Sequence, residues 1–182
     1  MVMRRRLWAG AAPGMDSPSH PEAANAPNKV VLVRLTRGDL DATDDDALIS
    51  ACLAPVIARI RGRSFDVKSA EYGGLPPAQR ALLAFHVLNG HAHELTSFWS
   101  HVRLFAIEWN VWSQLEDSAR YFADNRLLEV YREISTAVHD GSDRDDGVAM
   151  ALYTAYRAAV ANSVRIAAEH IRTYPHRFVE AS

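Results

Sequence analysis

Residues 147–174 read GVAMALYTAYRAAVANSVRIAAEHIRTY. Alanine is abundant, and Leu152, Ala155, Tyr156, Ala159, Val160, Ser163, Ile166 and Ile171 recur at the spacing of one helix face. The stretch predicts one long helix, whose small residues let a neighbouring helix approach closely. The same period recurs upstream. Leu127, Leu128, Tyr131 and Ile134 mark a helix that Asn125 can cap, and residues 114–122 form a shorter one with Leu115 and Ala119. A helical region over residues 91–112 carries Phe98, Val102, Phe105 and Trp109 in phase, with Trp99, Ile107 and Trp112 adding bulk. Residues 77–89 start on proline, bury Leu82, Leu83, Phe85 and Leu88, and stop at Asn89-Gly90. Residues 45–61 place Leu48, Cys52, Val56 and Ile60 four apart, with Ile49, Leu53 and Ile57 alongside. There is no repeat period and no βαβ alternation, so the fold class is all-α: a single-domain bundle of about six helices.

Four local features stand out against that pattern. Pro55 lies inside the helix over residues 45–61 and is expected to kink or break it, because it lacks an N–H and crowds the carbonyl four residues back. RGDLDATDDD, residues 37–46, reads as a turn and cap in which Thr43 or Asp44 accepts from free N–H groups and the acids suit the helix dipole. VVLVRL, residues 30–35, is β-branched, but no strand partner for it is visible in the sequence. Tyr72-Gly73-Gly74-Leu75-Pro76-Pro77 reads as a turn.

Composition bounds the function. The chain has 182 residues, 48% hydrophobic and 23% charged, the profile of an ordinary globular protein. Its single cysteine excludes a disulfide framework and any multi-cysteine metal site, and Cys52 on an apolar stripe reads as core. No apolar run approaches the roughly 18 residues of a membrane span. Residues 1–29 are rich in Ala, Pro, Gly, Ser and Asn and have no apolar period, so they read as a disordered N-terminal arm preceding an all-helical domain, residues 30–182. Leu7-Trp8-Ala9 is too short for the apolar core of a signal peptide, which implies a cytoplasmic protein. Deleting residues 1–28 is expected to leave thermal stability unchanged.

Charge is uneven. Without the arm the domain holds 16 basic and 20 acidic residues, yet between Glu108 and Asp146 ten acids face four arginines. Glu116, Asp117, Asp124, Asp143, Asp145 and Asp146, joined by Glu129, Glu133 and Asp140, are the candidates for one exposed negative face that recruits a basic partner. Basic charge gathers at Arg59, Arg61 and Arg63. His86, His93, Glu94 and His101, with His91 nearby, are the only candidate metal ligands, but Asn89-Gly90 interrupts them and no HExxH pattern is present. Asp140 to Gly147 fails as a calcium loop, since Ser142 and Arg144 occupy acid positions and Tyr153 replaces the closing Glu. Phosphate-binding glycine motifs and a GxSxG elbow are missing. Trp99, Trp109 and Trp112 fit a core better than a stacking platform.

Two segments, VVLVRLTRGDLDATDDDALISACLAPV over residues 30–56 and LPPAQRALLAFHVLNGHAHELTSFWSHV over residues 75–102, resemble an all-helical bacterial family of unknown function that includes a DNA-mimic protein. LLEVYREI, residues 127–134, is similar to its later helices, so the resemblance spans residues 30–140. Where that family has an Asn-Asn-Gly-Gly-Phe segment, this chain has Asn89-Gly90 and Ser97-Phe98 with HAHELT between, and no functional residue carries over. The resemblance implies carboxylates presented like phosphates to a DNA-binding protein.

The expectation is therefore a non-enzymatic protein-interaction module: an inhibitor, an immunity factor or a DNA-mimic-like modulator of a DNA-binding protein. It needs no cofactor, and its partner is another protein, neither nucleic acid nor membrane. The alternatives are a small helical metal-binding protein or enzyme using the region from His86 to His101, and a homodimer built on the aromatic helix.

Overall fold

The computed structural model describes residues 32–181. The arm and the expected indifference to its deletion lie outside the described residues. Eight α-helices make the fold all-α: α1 Arg37–Ala42, α2 Asp45–Ile60, α3 Phe65–Gly74, α4 Pro77–Gly90, α5 Leu95–Arg103, α6 Trp112–Tyr121, α7 Asn125–Asp140 and α8 Asp146–Thr173. A π-helical turn, Leu104–Glu108, follows α5, and two short strands, β1 Val33–Leu35 and β2 Val179–Ala181, lie near the two ends of the described chain. Among the described residues no helix is long and apolar enough to cross a membrane.

The long C-terminal helix α8 packs on α2, α5 and α7, while α4 packs chiefly on α6. Leu48, Leu53, Leu82, Leu88, Phe98, Leu127, Ile134 and Tyr156 are fully enclosed in one continuous core. Caps set most boundaries. Asp44 accepts from the Ala47 N–H at the start of α2, and Asp145 accepts from Gly147 and Val148 at the start of α8. Asp124, rather than Asn125, caps α7.

Four expectations need correction. The helix count is eight, because two short helices carry too few apolar residues to announce themselves. One is α1, which Thr36 and Asp39 open as a reciprocal capping box. The other is α3, which contains no fully buried residue and runs through the predicted Tyr72-Gly73-Gly74 turn. Second, α2 is not broken at Pro55 but continues through it. The lost hydrogen bond to the Ala51 carbonyl costs about 3 kcal/mol. Burial of Leu48, Ile49, Cys52, Leu53 and Val56 offsets it, each contributing roughly 1.5–3 kcal/mol. Third, the extended N-terminal run has a partner: β1 pairs in parallel with β2, Val33 opposite Val179 and Leu35 opposite Ala181. Gln79 supports that pairing by donating to the Phe178 carbonyl at 2.8 Å. Fourth, residues 91–112 are not one helix but a turn, α5 and the π turn.

Arg172 locks the start of the domain to its end. Its guanidinium donates to the Leu40 carbonyl at 3.0 Å, to the Thr43 carbonyl at 2.8 Å and to Asp45 Oδ1 at 2.7 Å. One side chain on α8 thereby fixes the α1–α2 corner.

Candidate functional site: an apolar cleft beside the π turn

The α3 helix presents Phe65, Lys68, Ser69 and Tyr72 on one face, the i, i+3, i+4 and i+7 positions. Opposite it stand Leu83, Ala84 and Val87 of α4, and the π turn and α6 close the ends through Phe105, Trp109 and Leu115. These walls enclose a cleft of about 110 Å³. Its lining side chains are hydrocarbon apart from Lys68, Ser69, Gln114, the Tyr72 hydroxyl and the Trp109 indole N–H.

The π turn aims the key aromatic. The Trp109 N–H donates to Leu104 and the Val111 N–H to Phe105, both at 2.8 Å, so the backbone is wound wider than an α-helix. Asn110 then takes a positive φ of 51°, in the left-handed region that asparagine tolerates better than most residues. The Trp109 ring meets Phe65 at 4.8 Å and Phe105 at 5.6 Å between centroids. Lys68 Nζ sits 5.8 Å from the Trp109 ring centre, a cation–π distance. Burial raises the Tyr72 phenol above its usual pKa; Arg80 opposes that shift and Asp117 adds to it. Arg59 Nε to Glu71 at 2.9 Å ties α3 to the end of α2. No ion pair involving Lys68 is found among the described residues.

The other two tryptophans are core, as expected. Trp99 and Trp112 are each 5% exposed, and their indole N–H groups donate to the Ala149 and Tyr131 carbonyls. Trp109 alone is half-exposed. Sequence reasoning missed Phe65, Lys68 and Tyr72 because they lie on a short helix ending in two glycines.

The histidines are only partly gathered. His91 and His101 stack face to face, with centroids 3.6 Å apart and planes 7° apart. The lone pairs of stacked imidazoles lie in parallel planes and do not converge on one ion. The Nδ1–H of His101 donates to the Ser97 carbonyl at 2.9 Å, and its ring meets Phe105 edge-on. His93 and Glu94 are exposed in the turn before α5, and His86 is half-buried on α4. Burial is the main cause lowering the pKa of both His86 and His91. Among the described residues no three His, Cys, Asp or Glu side chains are placed to hold a metal ion.

The six acids do not form one exposed face. Asp124 and Asp143 are each 5% exposed. Asp124 accepts from the Leu127 N–H at 3.0 Å and from the Ser163 hydroxyl, and Asp143 accepts from Arg103 Nε at 2.8 Å. Burial satisfied by such partners is structural, so these two leave the proposed surface. Glu116 and Asp117 both bind Arg120, at 2.6 and 2.8 Å. Asp117, Asp145, which caps α8, and Asp146 in its first turn remain exposed.

Comparison of the chain with known proteins finds no matching family model, no matching curated protein and no matching solved structure.

Proposed function

We propose that this chain is a non-enzymatic protein-interaction module that works through the cleft between α3 and the π turn, receiving one apolar side chain of a partner protein. The supporting observation is the aromatic lining: Phe65, Tyr72, Phe105 and Trp109 surround a space of about 110 Å³. An engineered apolar cavity of about 150 Å³ takes a benzene ring, whereas sites that enclose a free small ligand run to roughly 300–1,000 Å³. The cleft therefore suits an anchor residue of a larger partner, the arrangement that concentrates binding energy at protein interfaces. Burying such a side chain contributes roughly 1.5–3 kcal/mol.

The test is an NMR titration with acetyl-Ala-Phe-Ala-amide. Weak binding is expected, with shift changes confined to the cleft and accompanied by a change in Trp109 emission. Ala84→Leu, or Ser69→Leu from the opposite wall, should fill the cleft and abolish both. Shifts scattered over the surface, or unchanged in both filled variants, would refute the reading.

A further inference from the structure

From the charge around the cleft we infer that the partner segment is acidic: an apolar residue flanked by carboxylates. The inference rests on the cleft reading and adds its charge chemistry. The chain leaves the cleft at Ile60 and returns at Phe65 through Arg61, Gly62, Arg63 and Ser64. Arg61 and Arg63 are exposed and form no ion pair among the described residues, in contrast to Arg59, which Glu71 holds. Lys68 stands on the cleft wall itself with its ammonium over Trp109 and no carboxylate partner among the described residues. Arg80 lies close enough to act on the Tyr72 hydroxyl and is likewise without an ion pair among the described residues.

Nearby acids are fewer and partly engaged. Glu71 holds Arg59 and Asp117 holds Arg120, leaving Asp66 on the exposed side of α3 and Glu108 beside Trp109 against Arg61, Arg63, Lys68 and Arg80. The cleft is thus a positive island on a domain with more acids than bases. Charges placed at an apolar pocket select the sign of the partner and speed its arrival. The basic groups lie on the α2–α3 loop, α3 and α4 and not on the cleft wall alone, a spread that favours a polypeptide.

The test compares acetyl-Asp-Phe-Glu-amide with its neutral counterpart, acetyl-Asn-Phe-Gln-amide, on the full chain. Wild type is expected to prefer the acidic peptide about threefold to tenfold at low salt, as for a few partly exposed ion pairs. The preference should shrink as salt rises from about 20 to about 300 mM. In Lys68→Gln, and separately in the Arg61→Gln/Arg63→Gln double variant, the ratio between the two peptides should fall toward one. Lys68 is the sole lysine within residues 32–181, so reductive ¹³C-methylation gives it a resonance in the field of the Trp109 ring, with Lys29 as internal reference. The acidic peptide should move the Lys68 signal and leave Lys29 in place. Equal binding of the two peptides overturns the inference while leaving the cleft reading intact. So does a preference that survives both sets of variants. If phenylacetate binds at the cleft and neither peptide does, the partner is a small carboxylate and the polypeptide is excluded. If nothing binds, the cleft reading itself falls.

Discussion

Asp124 separates a structural acid from a recruiting one. In Asp124→Ala the Leu127 N–H loses its cap acceptor, worth about 1 kcal/mol. The Ser163 hydroxyl loses a charged acceptor, worth roughly 1.5–3 kcal/mol. Part of the second loss is recovered, because that hydroxyl can turn fully to the Ala159 carbonyl, 3.1 Å away. The net expectation is a loss of about 2–3 kcal/mol. Asp124→Asn keeps an oxygen for the Leu127 N–H and should lose about 1 kcal/mol. Ser163→Ala combined with Asp124→Ala should lose less than the sum of the single variants, since both remove the same bond. Urea unfolding at pH 7 measures all four, with an unchanged slope as the check on two-state behaviour. Asp146→Ala is the surface control and should stay within ~0.5 kcal/mol of the parent. If Asp124→Ala also stays within that margin, its carboxylate holds nothing together and the structural reading of this buried acid is refuted.

Acidification should destabilise the fold. His86, His91 and His170 have pKa values lowered mainly by burial, so as pH falls through about 6.5 the unfolded chain takes up protons that the folded chain refuses. Their contribution is present above that pH and lost below it, and a urea midpoint that is flat or rising between about pH 7.5 and 5.5 would contradict this. The Cys52 thiol, 1% exposed and pushed up to about 12 by burial, should react with a disulfide reagent only as the protein unfolds; rapid labelling of the folded chain would show otherwise. Ala123 has a φ of 55°, so Ala123→Gly should relieve strain and raise stability by about 0.5–1 kcal/mol after the extra entropy of the unfolded glycine, measured by thermal or urea unfolding.

Where apolar period and cap coincide, the sequence alone locates the helix. Asp44 and Pro77 mark the starts of α2 and α4, and the last helix, read from Gly147, starts one residue earlier at Asp146. The β1–β2 pair escaped notice because Arg34 and Glu180, bonded at 2.9 Å, lie 146 residues apart and neither strand exceeds three residues. Charge arithmetic misled at the acids for a related reason. It sums carboxylates without seeing that Arg103 reaches Asp143 across 40 residues of sequence, or that Asp124 faces a serine on another helix. The cleft was half legible: its tryptophan was noted as a possible stacking group, but the wall facing it lies on a helix with no buried residue to give it a period.

Local rules are broken most densely beside that cleft. Phe98, Val102 and Phe105 continue one stripe and are buried to 0, 0 and 4% exposure, and four residues beyond Phe105 the α-helical phase would bury Trp109 with them. The π turn inserts one residue into that phase, a rotation of about 100°. Trp109 leaves the stripe and meets Phe65 across the cleft instead. The chain then recovers through Asn110 at positive φ, and Gly62, at a φ of 70°, precedes an α3 whose N-cap Ser64 makes no side-chain capping bond. The π turn leaves partly exposed an aromatic ring that a regular helix would have hidden. Buried Phe105, Trp112 and Leu115 on either side hold the turn in place. The π turn thereby presents Trp109 to the cleft, and that presentation supports the proposed docking role.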